Sequence, residues 1–171
     1  MIKSPTIILL LFYATITLVL TNPIPSKAEI KELSKNVYSF TSNILFKLNS
    51  MFIITECGVV VIEPFNTKHS QLMLETIRTI TRQPIVYLLI SHNHWDHSSG
   101  SKVFKDVGAK VMAHQEAIEY LENYPNPEVV VPDQSWTGKK HVIKLGMIFV
   151  DFFIKTFNEK RIEYQLHTRG Q

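Results

Sequence analysis

The chain has 171 residues, which suits one ordinary domain, and 45% of them are hydrophobic. Its 18 basic residues include Lys3 and Lys27 near the N-terminus, so residues 29–171 carry 16 basic and 15 acidic side chains. A nearly neutral body without a basic stripe argues against a nucleic-acid-binding protein. Cys57 is the only cysteine, which excludes an internal disulfide and leaves histidine and carboxylate side chains to form any metal site.

The N-terminal residues 1–28 have the layout of a secretory signal peptide. Lys3 is followed by an almost wholly apolar segment, residues 6–20, which is shorter than the roughly 20 residues that span a bilayer. Ser26, Lys27 and Ala28 then form a small-x-small triplet where a signal peptidase could cut. We therefore predict a secreted or periplasmic protein. The alternative is an uncleaved anchor, and only in that case would the protein be attached to a membrane.

The body of the chain alternates between strand-like and helix-like segments, which predicts an α/β fold. Residues 59–63 are rich in β-branched side chains and predict a strand that is buried on both faces. Residues 85–90 are a short apolar run, which favours a central strand. The predicted strands are 37–41, 43–48, 51–55, 59–63, 85–90 and 109–113, and the predicted helices are 70–82, 101–106 and 115–123.

The segment SHNHWDHSSG, residues 91–100, contains three of the seven histidines and directly follows the predicted strand 85–90. Open α/β sheets bind ligands beyond the carboxyl ends of their strands, which is where this segment lies. His92 and His94 are two residues apart, so an extended backbone projects both rings to one side. Asp96 and His97 come after the chain has turned and can face a second centre.

Neutral imidazole and carboxylate groups are typical zinc ligands, and two ligand sets on one loop suit two metal ions about 3.5–4 Å apart. The alternative interpretation is a loop of unrelated polar residues, which three histidines and one aspartate in this order make improbable. We expect Trp95 to pack beneath the loop. Ser98, Ser99 and Gly100 would let the backbone turn into the next helix, and nothing beyond its presence supports a catalytic serine.

The segment from His92 to His97 resembles the H-x-H-x-D-H signature of the metallo-β-lactamase superfamily. The resemblance covers roughly residues 37–146, including 58–62, 81–85 and 108–114. It implies that residues 29–146 form the N-terminal half of an αββα sandwich. It further implies that His92 and His94 bind a first zinc, that Asp96 and His97 bind a second, and that Asp96 orients the attacking water. The implied activity is hydrolysis of a lactam, ester or similar bond by metal-bound hydroxide.

Two features depart from the family pattern. Many members have an aspartate at the end of the strand before the first helix, where this chain has Glu63, which would either support the histidine loop or only cap the strand. The pattern also fades after residue 146, so residues 147–171 form a divergent C-terminal tail. Within it, His167 begins a segment that resembles the H-T-x-G motif of the third zinc histidine, although Leu166 replaces the usual glycine. No aspartate follows to bridge two metals.

The remaining histidines receive other interpretations. We expect His114 to cap a helix or to pack rather than to bind metal, and we expect His69 and His141 to lie on the surface. Three accounts of the whole chain remain open: a truncated zinc hydrolase, a short non-catalytic protein that binds a metal or a partner, and two chains that pair to complete the sandwich. The first predicts a small-molecule substrate. An uncovered half-sandwich would also expose one face of its sheet.

Overall fold

The computed structural model describes residues 28–44 and 47–153. His167 and the predicted signal segment up to residue 27 lie outside these residues. Most of the predicted elements are confirmed, with shifted ends. The strands are β1 (Ala28–Ser34), β2 (Val37–Asn43), β3 (Lys47–Thr55), β4 (Gly58–Ile62), β5 (Ile85–Leu89), β6 (Lys110–His114), β7 (Gln134–Trp136), β8 (Lys140–Leu145) and β9 (Ile148–Phe153). The helices are α1 (Thr67–Ile80), α2 (Trp95–Ser98), α3 (Ser101–Lys105) and α4 (Gln115–Glu122).

Seven strands form one sheet in their sequence order, β1 to β7. The first four are antiparallel neighbours joined by short connections, and β4 to β7 are parallel. The pairing changes from antiparallel to parallel at β4 and β5. The connection that contains α1 returns the chain to the end of the sheet at which β4 begins, so β5 runs in the same direction as β4. One prediction is corrected. The segments 43–48 and 51–55 were predicted as separate strands, but β3 is continuous through residues 49 and 50 because both pair with β2. Strands β1, β7, β8 and β9 and helix α2 were not predicted.

The central strand β4 is buried over its whole length, as its composition predicts. Alternate side chains enter two separate cores. Val59 and Val61 face the helices, where they join Met73 and Ile77 of α1 in the larger core. Val60 and Ile62 belong to the second core on the opposite face. The sheet is therefore covered by helices on one face and requires another apolar layer on the other.

The hairpin of β8 and β9 contributes to the second core. Gly146 forms its turn with a φ of 66°, a conformation that glycine adopts without steric cost. Ile143, Leu145 and Val150 are buried with Val60 and Ile62. The expectation that this sheet face is uncovered is therefore wrong for these residues, because the second core includes the hairpin. The predicted domain boundary at residue 146 falls inside the hairpin and stays a prediction.

The α/β fold class predicted from the alternation of elements is confirmed. Among the residues that the structure describes, no helix has the length and apolar character needed to cross a membrane. The fold positions the histidine segment directly beyond β5, with β4 and β6 on either side of that strand. The turn between β4 and α1 thus ends beside the same loop.

Candidate metal centre

The histidine segment begins as an extended loop and ends as a short helix. His94 has an extended backbone and precedes α2, which holds Trp95, Asp96 and His97. Gly100 follows and approaches the turn after β4 so closely that a Cβ atom there would lie 2.7 Å from the carbonyl oxygens of Pro64 and Asn66. The expectation that this part of the loop turns the backbone into the next helix is confirmed, and glycine is required for the close approach.

Glu63 connects the end of β4 to the histidine loop. Its Oε1 accepts a hydrogen bond from the backbone N–H of Ser91 at 2.7 Å. Its Oε2 lies 2.5 Å from Nδ1 of His97, and only 14% of the Glu63 side chain is exposed. The sequence left open whether Glu63 supports the histidine loop or only caps the strand. In the structure it supports the loop, because it contacts Ser91 at the start of the loop and His97 near its end.

This contact determines which nitrogen of His97 carries the proton. A carboxylate can only accept, so Nδ1–H of His97 donates to Glu63 and Nε2 carries the lone pair in the neutral ring. Metal-binding histidines commonly donate their other ring N–H to a carboxylate in this way. Both oxygens of Glu63 already accept hydrogen bonds, so Glu63 is better suited to orienting a ligand than to being one.

His92 is buried beside His97, with ring centroids 4.2 Å apart. Its Nδ1 lies 2.6 Å from Oγ of Ser91. The pKa of His92 is lowered to about 4, mainly by burial and in part by the neighbouring His97 and His94, while Glu63 and Asp96 oppose the shift. His92 is therefore a neutral imidazole at physiological pH, which is the protonation state that a metal ligand needs.

His94 and Asp96 lie on the solvent side of the same loop. The ring of His94 is exposed and meets the ring of His92 edge-on at 4.6 Å between centroids. A carboxylate oxygen of Asp96 lies 3.9 Å from Nε2 of His97, and 57% of the Asp96 side chain is exposed. The three predicted imidazole ligands are thus brought together, and the predicted carboxylate ligand lies at their edge.

One group of side chains among the described residues has the spacing of a metal site, and it consists of Glu63, His92 and His97. One potential ligand atom from each lies within 4.8 Å of the others. Neutral imidazole nitrogens with a supporting carboxylate fit zinc. The division of the ligands into two zinc sites, and the role of His167 as a further ligand, stay predictions.

Three other expectations can be compared with the structure. His114 precedes α4, where its Nδ1 accepts from the backbone N–H of Glu116 at 3.3 Å, and its ring contacts Trp136, so the expected capping and packing are confirmed. The surface position expected for His69 is wrong, since only 1% of this residue is exposed. Trp95 was expected beneath the loop, yet 53% of it is exposed because it projects from the outer side of α2.

Asp96 is one of the residues that line an open groove of about 690 Å³. Phe65 and Trp95 contribute aromatic surface to it, and Lys68 contributes a cationic side chain. This volume lies within the range of small-molecule sites, which combine apolar walls with a few polar groups. The groove therefore provides space for a small molecule directly beside the histidine cluster.

The sequence model of the metallo-beta-lactamase superfamily matches residues 45–165, which is most of the chain. The chain belongs to the metallo-β-lactamase superfamily. Metallo-beta-lactamase IND-1 of Chryseobacterium indologenes is 27% identical over 108 residues, which are 63% of this chain and 44% of that protein. The chain therefore spans less than half the length of this curated relative.

Solved metallo-β-lactamases have a similar fold. The enzyme from Pontibacter korlensis superposes with a TM-score of 0.65 at 17% identity, over 74% of this chain and 60% of that one. A motif mutant of the enzyme from Cronobacter sakazakii gives a TM-score of 0.63 at 19% identity, over 74% and 54%. The prediction that this chain has part of the metallo-β-lactamase fold is confirmed, and the likeness at these identities concerns the fold alone.

Proposed function

We propose that the protein is a zinc-dependent hydrolase that cleaves a lactam, ester or similar bond in a small molecule. The observation that carries this proposal is the cluster of His92, His94 and His97 beyond β5, with Glu63 orienting one of the rings. Membership of the superfamily supports hydrolysis and metal binding as the general activity. The bond that is cleaved and the substrate are part of the proposal.

The residues of this chain would prepare the site before any metal binds. Glu63 holds Nδ1 of His97 protonated, so that Nε2 can bind a metal, and it fixes the backbone of Ser91. Burial keeps His92 neutral. When bound, zinc would lower the pKa of a coordinated water toward neutrality and polarise the carbonyl of the substrate.

Asp96 would contact the attacking water, and the groove beside it would contact the substrate. The exposed carboxylate of Asp96 would accept a hydrogen bond from the water and orient it toward the substrate. Phe65 and Trp95 would contact apolar parts of the substrate, and Lys68 would attract a negatively charged group. An apolar molecule that carries a carboxylate would match this groove.

The test is turnover by the purified chain, loaded with zinc, on a chromogenic cephalosporin, an aryl ester and a lactone. We expect at least one substrate to be hydrolysed, a chelator to abolish the activity, and added zinc to restore it. His94→Ala should abolish turnover, while His141→Ala, a histidine outside the cluster, should leave it unchanged. Turnover that survives chelation, or that is lost equally in both variants, would contradict the proposal.

A second candidate is a protein that binds metal without turnover. It is favoured by the composition of the group with metal-site spacing, in which the carboxylate of Glu63 already accepts hydrogen bonds through both oxygens and leaves two imidazoles to bind a metal. This candidate predicts zinc binding that His92→Ala abolishes, together with no hydrolysis of any of the three substrates. The same experiment therefore distinguishes the two functions.

Export and partners are also part of the proposal. We infer from the layout of residues 1–28 that the protein acts in the periplasm or outside the cell, where it would encounter a small-molecule substrate rather than a nucleic acid. Fractionation of cells that express the whole chain tests this location. Recovery of the protein from the cytoplasm with residues 1–28 still attached would contradict it.

A further inference from the structure

His69 is a fully buried polar side chain whose position the predicted metal site does not explain. It lies in the first turn of α1, and only 1% of it is exposed. Phe40 and Phe65 contact its ring edge-on. A buried imidazole costs free energy unless both ring nitrogens form hydrogen bonds, and here both do.

The two nitrogens contact serines from two neighbouring strands. Nδ1 lies 2.7 Å from Oγ of Ser42 in β2, and Nε2 lies 2.6 Å from Oγ of Ser50 in β3. Oγ of Ser50 also donates to the backbone carbonyl of Glu63 at 2.5 Å. His69 is therefore linked through one hydroxyl to the residue that orients His97.

The hydrogen bonds determine the proton positions along this chain of groups. Ser50 has one hydroxyl hydrogen, which it donates to the carbonyl of Glu63, so it must accept from His69. Nε2 of His69 is then protonated, and Nδ1 accepts from the hydroxyl of Ser42. The neutral ring of His69 thus fixes the direction in which Ser50 donates.

The carbonyl that Ser50 contacts belongs to a backbone turn that needs support. Glu63 has a φ of 63° and Phe65 a φ of 51°, both in the left-handed region that residues other than glycine rarely adopt. Hydroxyl groups of Ser70 and Ser99 donate to the carbonyls of Pro64 and Phe65 at 2.6 and 3.2 Å. Each carbonyl from residue 63 to residue 65 therefore accepts from a serine, and such unfavourable conformations persist where the surroundings hold them.

We propose that His69 is a positioning residue for the metal site. By directing the hydroxyl of Ser50 onto the carbonyl of Glu63, it holds the left-handed backbone from which the Glu63 carboxylate reaches Ser91 and His97. This inference deepens the proposed function and rests on it for the role of the metal. The hydrogen bonds that it explains join residues of this chain alone.

The chain offers a matched pair of variants. Ser50→Ala and Ser42→Ala each remove one hydroxyl group that is bonded to the ring of His69, but only Ser50→Ala disconnects the ring from Glu63. We expect Ser50→Ala to lower the affinity for zinc about 10-fold and Ser42→Ala to lower it less than 3-fold. His69→Leu should resemble Ser50→Ala. His69→Gln, whose amide NH2 can donate to Ser50 and whose oxygen can accept from Ser42, should retain affinity within about 3-fold.

A merely structural role predicts that affinity follows thermal stability, so both are measured. If the two serine variants lose affinity equally, or if Ser50→Ala loses none, the proposal is overturned. A second readout uses the metal-free chain, in which NMR of the ring nitrogens reports the protonated Nε2 of His69 and the Nδ1–H of His97. We expect the signal of His97 Nδ1–H to exchange faster with water in Ser50→Ala than in Ser42→Ala. Equal exchange overturns the proposal.

The NMR readout keeps this inference separate from the proposed function. A chain that binds no zinc in any form would contradict the proposed function, yet the exchange of His97 Nδ1–H would still decide the role of His69. Conversely, zinc-dependent turnover that is unaffected by Ser50→Ala would support the proposed function and overturn the positioning role.

Discussion

The histidine loop contains two pairs of predicted ligands whose surroundings differ. The anchored pair, His92 and His97, is held by Ser91 and Glu63 through side-chain contacts of 2.5–2.6 Å. The open pair, His94 and Asp96, faces solvent. No hydrogen bond of the His94 ring is found among the described residues, and a carboxylate oxygen of Asp96 lies 3.9 Å from Nε2 of His97.

From this difference we expect the two pairs to have different roles in the site. Residues that are fixed before binding cost little conformational entropy when a metal binds, whereas exposed residues can adjust to the metal and to the substrate. Variants of the anchored pair should therefore change both stability and metal affinity. Variants of the open pair should change function and leave the stability of the fold unchanged.

The pH dependence of stability should give the largest effect, because it acts on the buried support of the anchored pair. Burial lowers the pKa of His69 to about 4, from 6.5 when exposed. Between pH 6.5 and 4 the unfolded chain therefore binds a proton that the folded chain does not. This contribution to the free energy of unfolding is fully present above pH 6.5 and is lost as the pH falls toward 4, by about 3 kcal/mol in total.

Urea unfolding of the metal-free chain at several pH values between 7 and 4.5 measures this loss. His69→Gln cannot take up the proton, so its free energy of unfolding should fall less steeply than that of the original chain. Other groups titrate equally in both proteins and cancel in the difference. If the free energy of unfolding falls equally with pH in the two proteins, His69 does not cause this pH dependence.

Glu63→Gln should remove the orientation of His97 while it keeps the size of the side chain. An amide can still accept from Ser91, but the NH2 group then faces Nδ1–H of His97, donor against donor. The ring can escape this conflict by moving its proton to Nε2, the atom expected to bind metal. We expect zinc affinity to fall up to about 100-fold, which corresponds to roughly 2.7 kcal/mol.

Isothermal titration with zinc measures this change, and Glu56→Gln, in the turn between β3 and β4, is the control. Nitrogen NMR of the metal-free Glu63→Gln protein should report a larger share of the His97 ring with Nε2 protonated. An affinity within a factor of two of the original chain would show that Glu63 does not control the ring.

Local pattern was sufficient to predict the histidine loop and the strand that presents it. The apolar run of residues 85–90 and the spacing of the histidines lie within a dozen residues of each other, so periodicity and chemistry could both be read from one segment. The buried strand 59–63 was predicted for the same reason. Glu63, the last residue of the predicted strand, lies outside β4 because its backbone turns away with a φ of 63°.

The contacts that hold the loop could not be predicted from local pattern. Glu63 lies 28 residues from Ser91 and 34 from His97, and these separations close only when β4 and β5 pair. The predicted helix began at residue 70, which left His69 outside it. Asn66, which caps α1 by accepting from the backbone N–H of His69, was the missed signal, because a helix that starts there places His69 on the buried face with Leu72 and Met73.

Replacing one histidine at a time tests whether the two pairs contribute differently to the stability of the fold. His92→Ala removes a buried ring and its contact with Ser91, so we expect the metal-free chain to lose about 2 kcal/mol of stability. His94→Ala removes an exposed ring and should change the free energy of unfolding by less than about 0.5 kcal/mol. Urea unfolding measures both, and equal losses would contradict the distinction between the pairs.

The smallest effect on function is expected at Trp95, which lies between the two members of the open pair in the sequence. More than half of this side chain is exposed, at 53%, and it forms part of the groove beside Asp96. In Trp95→Ala the substrate would lose apolar contact worth about 1 kcal/mol, so KM should rise about 5-fold while kcat and the melting temperature stay unchanged.

Trp136, the other tryptophan, is the matched control, because only 5% of it is exposed and it packs in the second core. Trp136→Ala should lower the melting temperature by many degrees, since emptying a buried site of this size costs roughly 3–5 kcal/mol. If Trp95→Ala instead lowers the melting temperature and leaves KM unchanged, Trp95 supports the loop. In that case the open side of the loop would depend on packing as the anchored side does.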